Sequence, residues 1–342
     1  MLQFSARAPE GTHRRVGASV LRSRARGRAS TVALSLLVSL TCSGCSASAS
    51  SAQPSAESNT GSAALAAPNC PRVERATREG EIAFAEVDEA SGAVASRKNP
   101  SVFWLHNDSG DEARAFAIDL HGRALAELKL TNARARDVED IALAHGVGDA
   151  PDVLYLADTG DNWKRRDSVR LYRVEEPKLD LTRERVVFNR DVEVIEVTYE
   201  DGRHDAESLL IDPVLGDAYL VAKSHFLLRE EQVGVYRVPA ALLRAGKVVA
   251  HKVATVPLGP STAGDVKPDG SGIAVRNYWS ALYWPRAPGE TFAHALAKPG
   301  CRLPMPDISH QGESFAFTAD GSAYVTIPEG RHAPIFRSVF AR

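Results

Sequence analysis

Carboxylates recur at one position of a repeated pattern. Glu139-Asp-Ile-Ala-Leu is followed by Val-Leu-Tyr-Leu-Ala-Asp and Arg-Leu-Tyr-Arg-Val, and Glu207-Ser-Leu-Leu-Ile-Asp by Ala-Tyr-Leu-Val-Ala and Val-Tyr-Arg-Val. Glu313-Ser-Phe-Ala-Phe leads to Ala-Tyr-Val-Thr-Ile and Pro-Ile-Phe-Arg. Asp265 opens a weaker copy, and Ser91, with Glu89 just upstream, opens another. If the copies are equivalent, Glu139, Glu207, Asp265 and Glu313 converge, and carboxylates at close quarters repel unless they are protonated or share a cation. Oxygen donors from several elements suit Ca²⁺, which takes roughly six to eight of them at about 2.3–2.6 Å. The plainer alternative is that these acids cap strand backbones or face water.

A second repeat is Asp108-Ser109-Gly110-Asp111 against Asp158-Thr159-Gly160-Asp161, each following an aromatic strand. It predicts Asp108 and Asp158 as further metal donors and Asp111 and Asp161 as ligand contacts, although Asp and Gly also make tight turns for their own sake. His106, His204 and His310 stand near the openings or the first loop, and His106 is the one assigned to ligand binding. Trp163 precedes Lys164, Arg165 and Arg166, cations that beside a bridging metal would hold an anionic group such as phosphate. No Gly-x-Ser-x-Gly elbow, His-Glu-x-x-His or phosphate-cradling glycine loop occurs.

Something must bring such dispersed residues together. From Glu81 onward the chain reads as short alternating apolar runs between turn residues, with one brief helical stretch at residues 239–246. This is an all-β pattern. The openings at Ser91, Glu139, Glu207, Asp265 and Glu313 lie 48 to 68 residues apart, near the roughly 40–50 of a four-stranded propeller blade with loop insertions. The expectation is a five-bladed β-propeller; six blades stay open, because residues 132–202 are long enough to hold an extra one. The last copy has three strands, so the lone run Glu81 to Val87 would complete it and close the ring.

Ahead of this body an Arg-rich segment and the apolar run Thr31 to Leu40 lead to Ser43-Gly44-Cys45. Together they predict an export signal over residues 1–45 with lipidation of Cys45, simple secretion being the alternative. Ten apolar residues are too few to span a bilayer, so any membrane contact is by the lipid anchor. Residues 46–68, rich in Ser and Ala, read as a tether, leaving residues 69–342 as the folded domain. Export permits a disulfide between the body's two cysteines, Cys70 and Cys301. Without the leader the chain carries 34 basic residues against 42 acids, about −8. An acidic body with no basic stripe argues against a nucleic-acid partner.

The openings Asp205-Ala206-Glu207-Ser208 and Gln311-Gly312-Glu313-Ser314 resemble the blades of the β-propeller phytase and phytase-like esterase group. The wider set His-Asn-Asp-Ser-Gly, Val-Glu-Asp-Ile-Ala and Asp-Thr-Gly-Asp-Asn resembles a family of secreted bacterial β-propeller lipoproteins over most of residues 85–335. The phytase resemblance implies a calcium-loaded channel in which metal ions neutralise acids, bind phosphate and activate water. That group has six blades rather than five. Two functions follow as expectations. One is a monomeric, envelope-anchored or secreted propeller that binds a small molecule or protein on its loop face, with Ca²⁺ in or near the channel. The other is a calcium-dependent hydrolase of phosphoric esters, or of lactones and carboxylic esters, with Glu139, Glu207 and Glu313 as metal ligands.

Overall fold

Runs of β-branched and aromatic residues broken by Asp, Gly and Pro favour short antiparallel strands, and the computed structural model is all-β, with a propeller-like arrangement of sheets. It describes residues 70–341 apart from 147, 149, 184, 225–230 and 307–311. The export signal, the proposed lipidation at Cys45, the tether and His310 lie outside the described residues.

β1 (Thr77–Glu81) comes first. A meander of β2 (Ala90–Ala95), β3 (Val102–Asn107), β4 (Arg114–Asp119) and β5 (Ala124–Leu130) follows. Next come β6 (Val138–Ala144), β7 (Val153–Asp158), β8 (Val169–Glu175), β9 (Val186–Arg190) and β10 (Glu193–Tyr199). A third group is β11 (Ala206–Ile211), β12 (Ala218–Ala222), β13 (Gln232–Val238) and β14 (Lys247–Pro257). A fourth is β15 (Ser261–Val266), β16 (Gly272–Asn277), β17 (Ala281–Pro285) and β18 (Cys301–Leu303). The chain ends with β19 (Gly312–Phe317), β20 (Ala323–Pro328) and β21 (Pro334–Val339).

β2, β11, β15 and β19 begin meanders that run outward from a shared centre, as does β6. The first two strands of each group are buried along almost their whole length, whereas outer strands such as β9 and β14 expose much of one face. The centre is crowded, and small residues fill it. A Cβ at Gly92 of β2 would collide with Asp140 of β6. Around the centre β2 neighbours β6, β6 neighbours β11, β11 neighbours β15, β15 neighbours β19, and β19 neighbours β2.

A hydroxyl stitches every one of these junctions by donating to a carbonyl of the adjoining group, the preceding one for Ser261 and the following one for the others. Ser91 Oγ donates to Glu139 O at 2.8 Å, Thr159 Oγ1 to Ala206 O at 2.6 Å and Ser261 Oγ to Ala222 O at 3.0 Å. Thr262 Oγ1 reaches Gly312 O and Ser314 Oγ reaches Ala90 O, both at 3.4 Å. Between neighbouring sheets the apolar residues form separate clusters rather than one core; Trp104, Leu128 and Leu154 share one, and Val235, Trp284 and Phe292 share another.

Several details differ from the sequence expectation. The strand that pairs with β21 is Thr77–Glu81, not Glu81 to Val87. Ile82, Phe84 and Val87 are instead buried against the first and last groups, where they remove apolar surface from water. Residues 132–202 hold no extra four-stranded sheet: β6, β7, β8 and β10 belong to one eight-stranded sheet with β11–β14, joined by the parallel pairing of β10 with β14, and β9 crosses to pair in parallel with β5. The helical stretch at 239–246 is reduced to one 3₁₀ turn, Ala240–Leu242, and a short helix, α1 (Phe292–Leu296), lies where none was expected. Cys70 and Cys301 are disulfide-bonded, tying the segment before β1 to β18.

Candidate metal centre

Each first strand carries the same irregularity near its N-terminal end. The ladder steps from Val138↔Asp158 to Asp140↔Ala157, and from Ala206↔Ala222 to Ser208↔Val221. It does so again from Ser261↔Asn277 to Ala263↔Arg276 and from Gly312↔Pro328 to Ser314↔Ile327. The extra residues are therefore Glu139, Glu207, Thr262 and Glu313, and β2 is interrupted likewise between Ala90 and Ala93. A bulge bends its strand and re-aims a side chain. Here it turns three glutamates into one cavity of about 300 Å³ at the mouth of the ring.

Asp265 is not among them. The residue of its strand that matches the three glutamates is Thr262, and both oxygens of Asp265 accept backbone N–H groups, from Val266 at 2.7 Å and Phe317 at 2.7 Å. It lines a different, small cavity with Arg97 and Phe317. The expected metal role for Asp265 is corrected to strand capping.

The rest of the mouth comes from residues one step beyond the second strand in four of the five groups. Asp108, Lys223, Tyr278 and Glu329 follow Asn107, Ala222, Asn277 and Pro328, and all four line the cavity. Glu89 and Asp137, two residues ahead of Ser91 and Glu139, line it as well. Among the described residues the lining thus holds seven carboxylates and one cation, Lys223.

Two sets of three can each bring one oxygen per residue within 4.8 Å of one another: Asp108, Asp137 and Glu139, and Glu139, Asp205 and Glu207. Donors on opposite sides of a Ca²⁺ ion stand about 4.6–5.2 Å apart, so both sets have the span of a calcium shell. The donors are all carboxylate oxygen, which favours a hard cation over zinc or copper. Glu139 belongs to both sets and is 3% exposed. Glu313 is 4% exposed, lines the same cavity, and its Oε2 has no hydrogen-bond partner among the described residues. Gly160 makes room for the shared ligand, since a Cβ there would collide with Glu139 Oε1 and Asp137 Oδ2. Lys223 Nζ donates to Glu207 Oε1 at 2.6 Å and offsets one charge.

Burial and mutual repulsion push these acids toward protonation. Burial raises Asp137 to about 6, helped by Asp108 and Asp205. Glu207 rises to about 8 through burial, against the pull of Lys223, and Glu313 to about 9 through burial and Glu207. Glu139 is raised well above the usual carboxylate range by burial and then by Glu207.

The remaining residues expected in the site are engaged elsewhere. Asp158 is fully buried, with Oδ1 accepting from Arg166 Nη1 at 2.7 Å and Oδ2 from Tyr172 OH at 3.0 Å. It is the ladder equivalent of Asn107, so the two tetrapeptides are out of register by one and Asp108 matches Thr159. Asp111 is paired with Arg114 at 2.7 Å and Asn107 at 2.9 Å. Asp161 caps its own loop by accepting from Arg165 N and Arg166 N, both at 2.8 Å. His106 accepts from Gly92 N and bonds Asn107 O, and burial lowers its pKa, so it is a neutral internal strut. His204 meets Asp201 and Tyr236 outside the cavity. Arg165 lies over Trp163, which leaves Lys164 as the one of the three expected cations lining the adjoining cleft.

Lys223, Glu89, Asp137, Asp205, Tyr278 and Glu329 were missed as site residues. For Asp137 and Asp205 a signal was present, since Asp-x-Glu stands at both 137–139 and 205–207.

No family model matches the chain, and no curated protein matches it. Among solved structures it is similar to hydrazine synthase of Kuenenia stuttgartiensis, at 14% identity and a TM-score of 0.36, over 70% of this chain and 74% of that one. It is also similar to U3-55K, at 11% identity and a TM-score of 0.36, over 73% of this chain and 68% of that one.

Proposed function

We propose that the protein is an exported, lipid-anchored, monomeric β-propeller of five blades, closed by β1, that holds a divalent cation of the Ca²⁺ type at one mouth and binds an oxygen-rich ligand there. Closure is supported by the β1–β21 pairing and by the unbroken circle of hydroxyl-to-carbonyl bonds. The cation reading is carried by Glu139, a buried carboxylate shared by two converging donor sets, beside Glu313, whose Oε2 has no hydrogen-bond partner among the described residues. Asp108, Asp137, Glu139, Asp205 and Glu207 would hold the ion, and Glu313 would face it across the cavity. When bound, such an ion supplies positive charge that neutralises the acids and polarises an oxygen ligand.

The ester-hydrolase reading has less support. Of the cations it needs, Arg166 is consumed by Asp158 and Arg165 is turned toward Trp163; Lys164 and Lys223 are left beside the acids. Calcium-dependent turnover of a phosphate ester or lactone that disappears in Glu207→Ala would move the assignment to an enzyme.

The test is to measure bound metal and the melting transition in calcium and in chelator. An ion that binds only the folded chain at a hundredfold excess over its Kd stabilises it by about 2.7 kcal/mol. A stoichiometric ion and a chelator-sensitive melt are expected. A metal-free chain whose melt ignores chelator would defeat the proposal.

A further inference from the structure

Beside the acidic mouth lies a second cleft of different character. Asn162, Lys223 and Tyr278 line both, so the two adjoin. Where the mouth is almost wholly carboxylate, the side cleft adds Trp163, Lys164 and the edge of Asp205. Trp163 is 78% exposed.

The loop that carries Trp163 is not loose. Asp161 accepts from two backbone N–H groups downstream and donates its own N–H to Asp205 Oδ1 at 2.7 Å, while Arg166 is anchored on Asp158 and on Gly160 O. Lys164 is held at φ +50, a left-handed conformation unusual for a side-chain-bearing residue. Strain that is over-determined by its surroundings clusters at ligand clamps. Here the loop presents the Trp163 indole, with Arg165 lying over its ring, and the exposed Lys164 beside the proposed cation, and the Asp161–Asp205 bond ties that loop to a proposed metal donor.

We infer that this cleft takes an acidic saccharide of the uronate type. The carboxylate and neighbouring hydroxyl of one unit are hard oxygen donors suited to the cation, its ring presents a C–H face to Trp163, and Lys164 pairs with the carboxylate of the adjacent unit of the chain. A neutral sugar would leave Lys164 unmatched, and a purely anionic ligand without an apolar face would leave Trp163 unused. The inference rests on the cation reading above.

The test titrates the full chain with calcium, then with a short oligouronate and a neutral oligosaccharide of equal length, in calcium and in chelator. Trp163→Ala and Lys164→Ala are run alongside; both side chains lie at the rim, so folding and calcium binding should be unchanged. Expected are oligouronate binding only in calcium, at least tenfold weaker in Trp163→Ala, and weaker binding of the neutral sugar. If calcium binds but the oligouronate does not, or binds Trp163→Ala equally well, or the neutral sugar binds as tightly, the inference is overturned and the cation site stands. Oligouronate binding that persists in chelator overturns the bridging role. Absence of calcium binding removes the cation reading, and this inference with it, at the first titration.

Discussion

Glu139 and Asp140 are consecutive, both almost wholly buried, and both raised by burial well above the usual carboxylate range, yet their surroundings are opposite. Asp140 faces inward between strands, where its oxygens accept from Ile141 N and Leu209 N at 2.8 Å and from Gly264 N at 3.4 Å. It fastens β6 to β11 and β15. Glu139, one bulge residue earlier, faces other carboxylates, with Lys223 the one cation lining the same cavity among the described residues. A fold can bury an acid for its own architecture by surrounding it with amides. An acid buried among acids is incomplete without a cation.

That contrast makes separable predictions. Asp140→Ala strips partners from amides of two other strands, and at about 1–3 kcal/mol per buried group left unpaired it should cost roughly 3–5 kcal/mol, read as a fall in the denaturation midpoint. A loss below about 1 kcal/mol would mean that Asp140 is no fastener. Arg166→Ala should cost about 3–5 kcal/mol, because it leaves Asp158 buried without its cationic partner. The equivalent comparison in the first loop, Asp108→Asn, should leave denaturation unchanged and weaken calcium binding. Equal stability losses in the two variants would put both aspartates in the same class.

A smaller effect concerns pH. Glu207 and Glu313 titrate near 4.5 when unfolded and near about 8 and about 9 when folded without metal, so the folded chain holds more protons in between. Stability present below about pH 4.5 is therefore lost as pH rises toward 8 and 9. Calcium, which replaces those protons, should flatten this decline. A metal-free chain whose stability rises over the same window would contradict the burial account of the mouth.

Much of this was readable in advance. Alternating strands, recurring openings and two body cysteines led to an all-β, sheet-repeating fold, to Glu139, Glu207 and Glu313 in one place and to the disulfide. What failed was register. Asp265 is followed by a strand-like run and so resembled an opening, but the ladder places the unpaired residue of that strand three positions earlier, at Thr262. A one-residue slip made Asp158 look like Asp108. Lys223 was unreadable because its place is defined only by the ladder, one step past Ala222. β9 left its own group for the edge of β5, and nothing in a five-residue run declares which neighbour it will join.

The most direct measurement counts protons. Ligating carboxylates must lose their protons to bind metal, so uptake of an ion by this mouth is coupled to proton release. Calorimetric titration of calcium at neutral pH, repeated in buffers of different ionisation enthalpy, should show release of protons from the wild-type chain, and no calcium uptake in Glu139→Gln. Calcium binding with no proton release, or unaltered binding by Glu139→Gln, would contradict a cation site built on these buried acids.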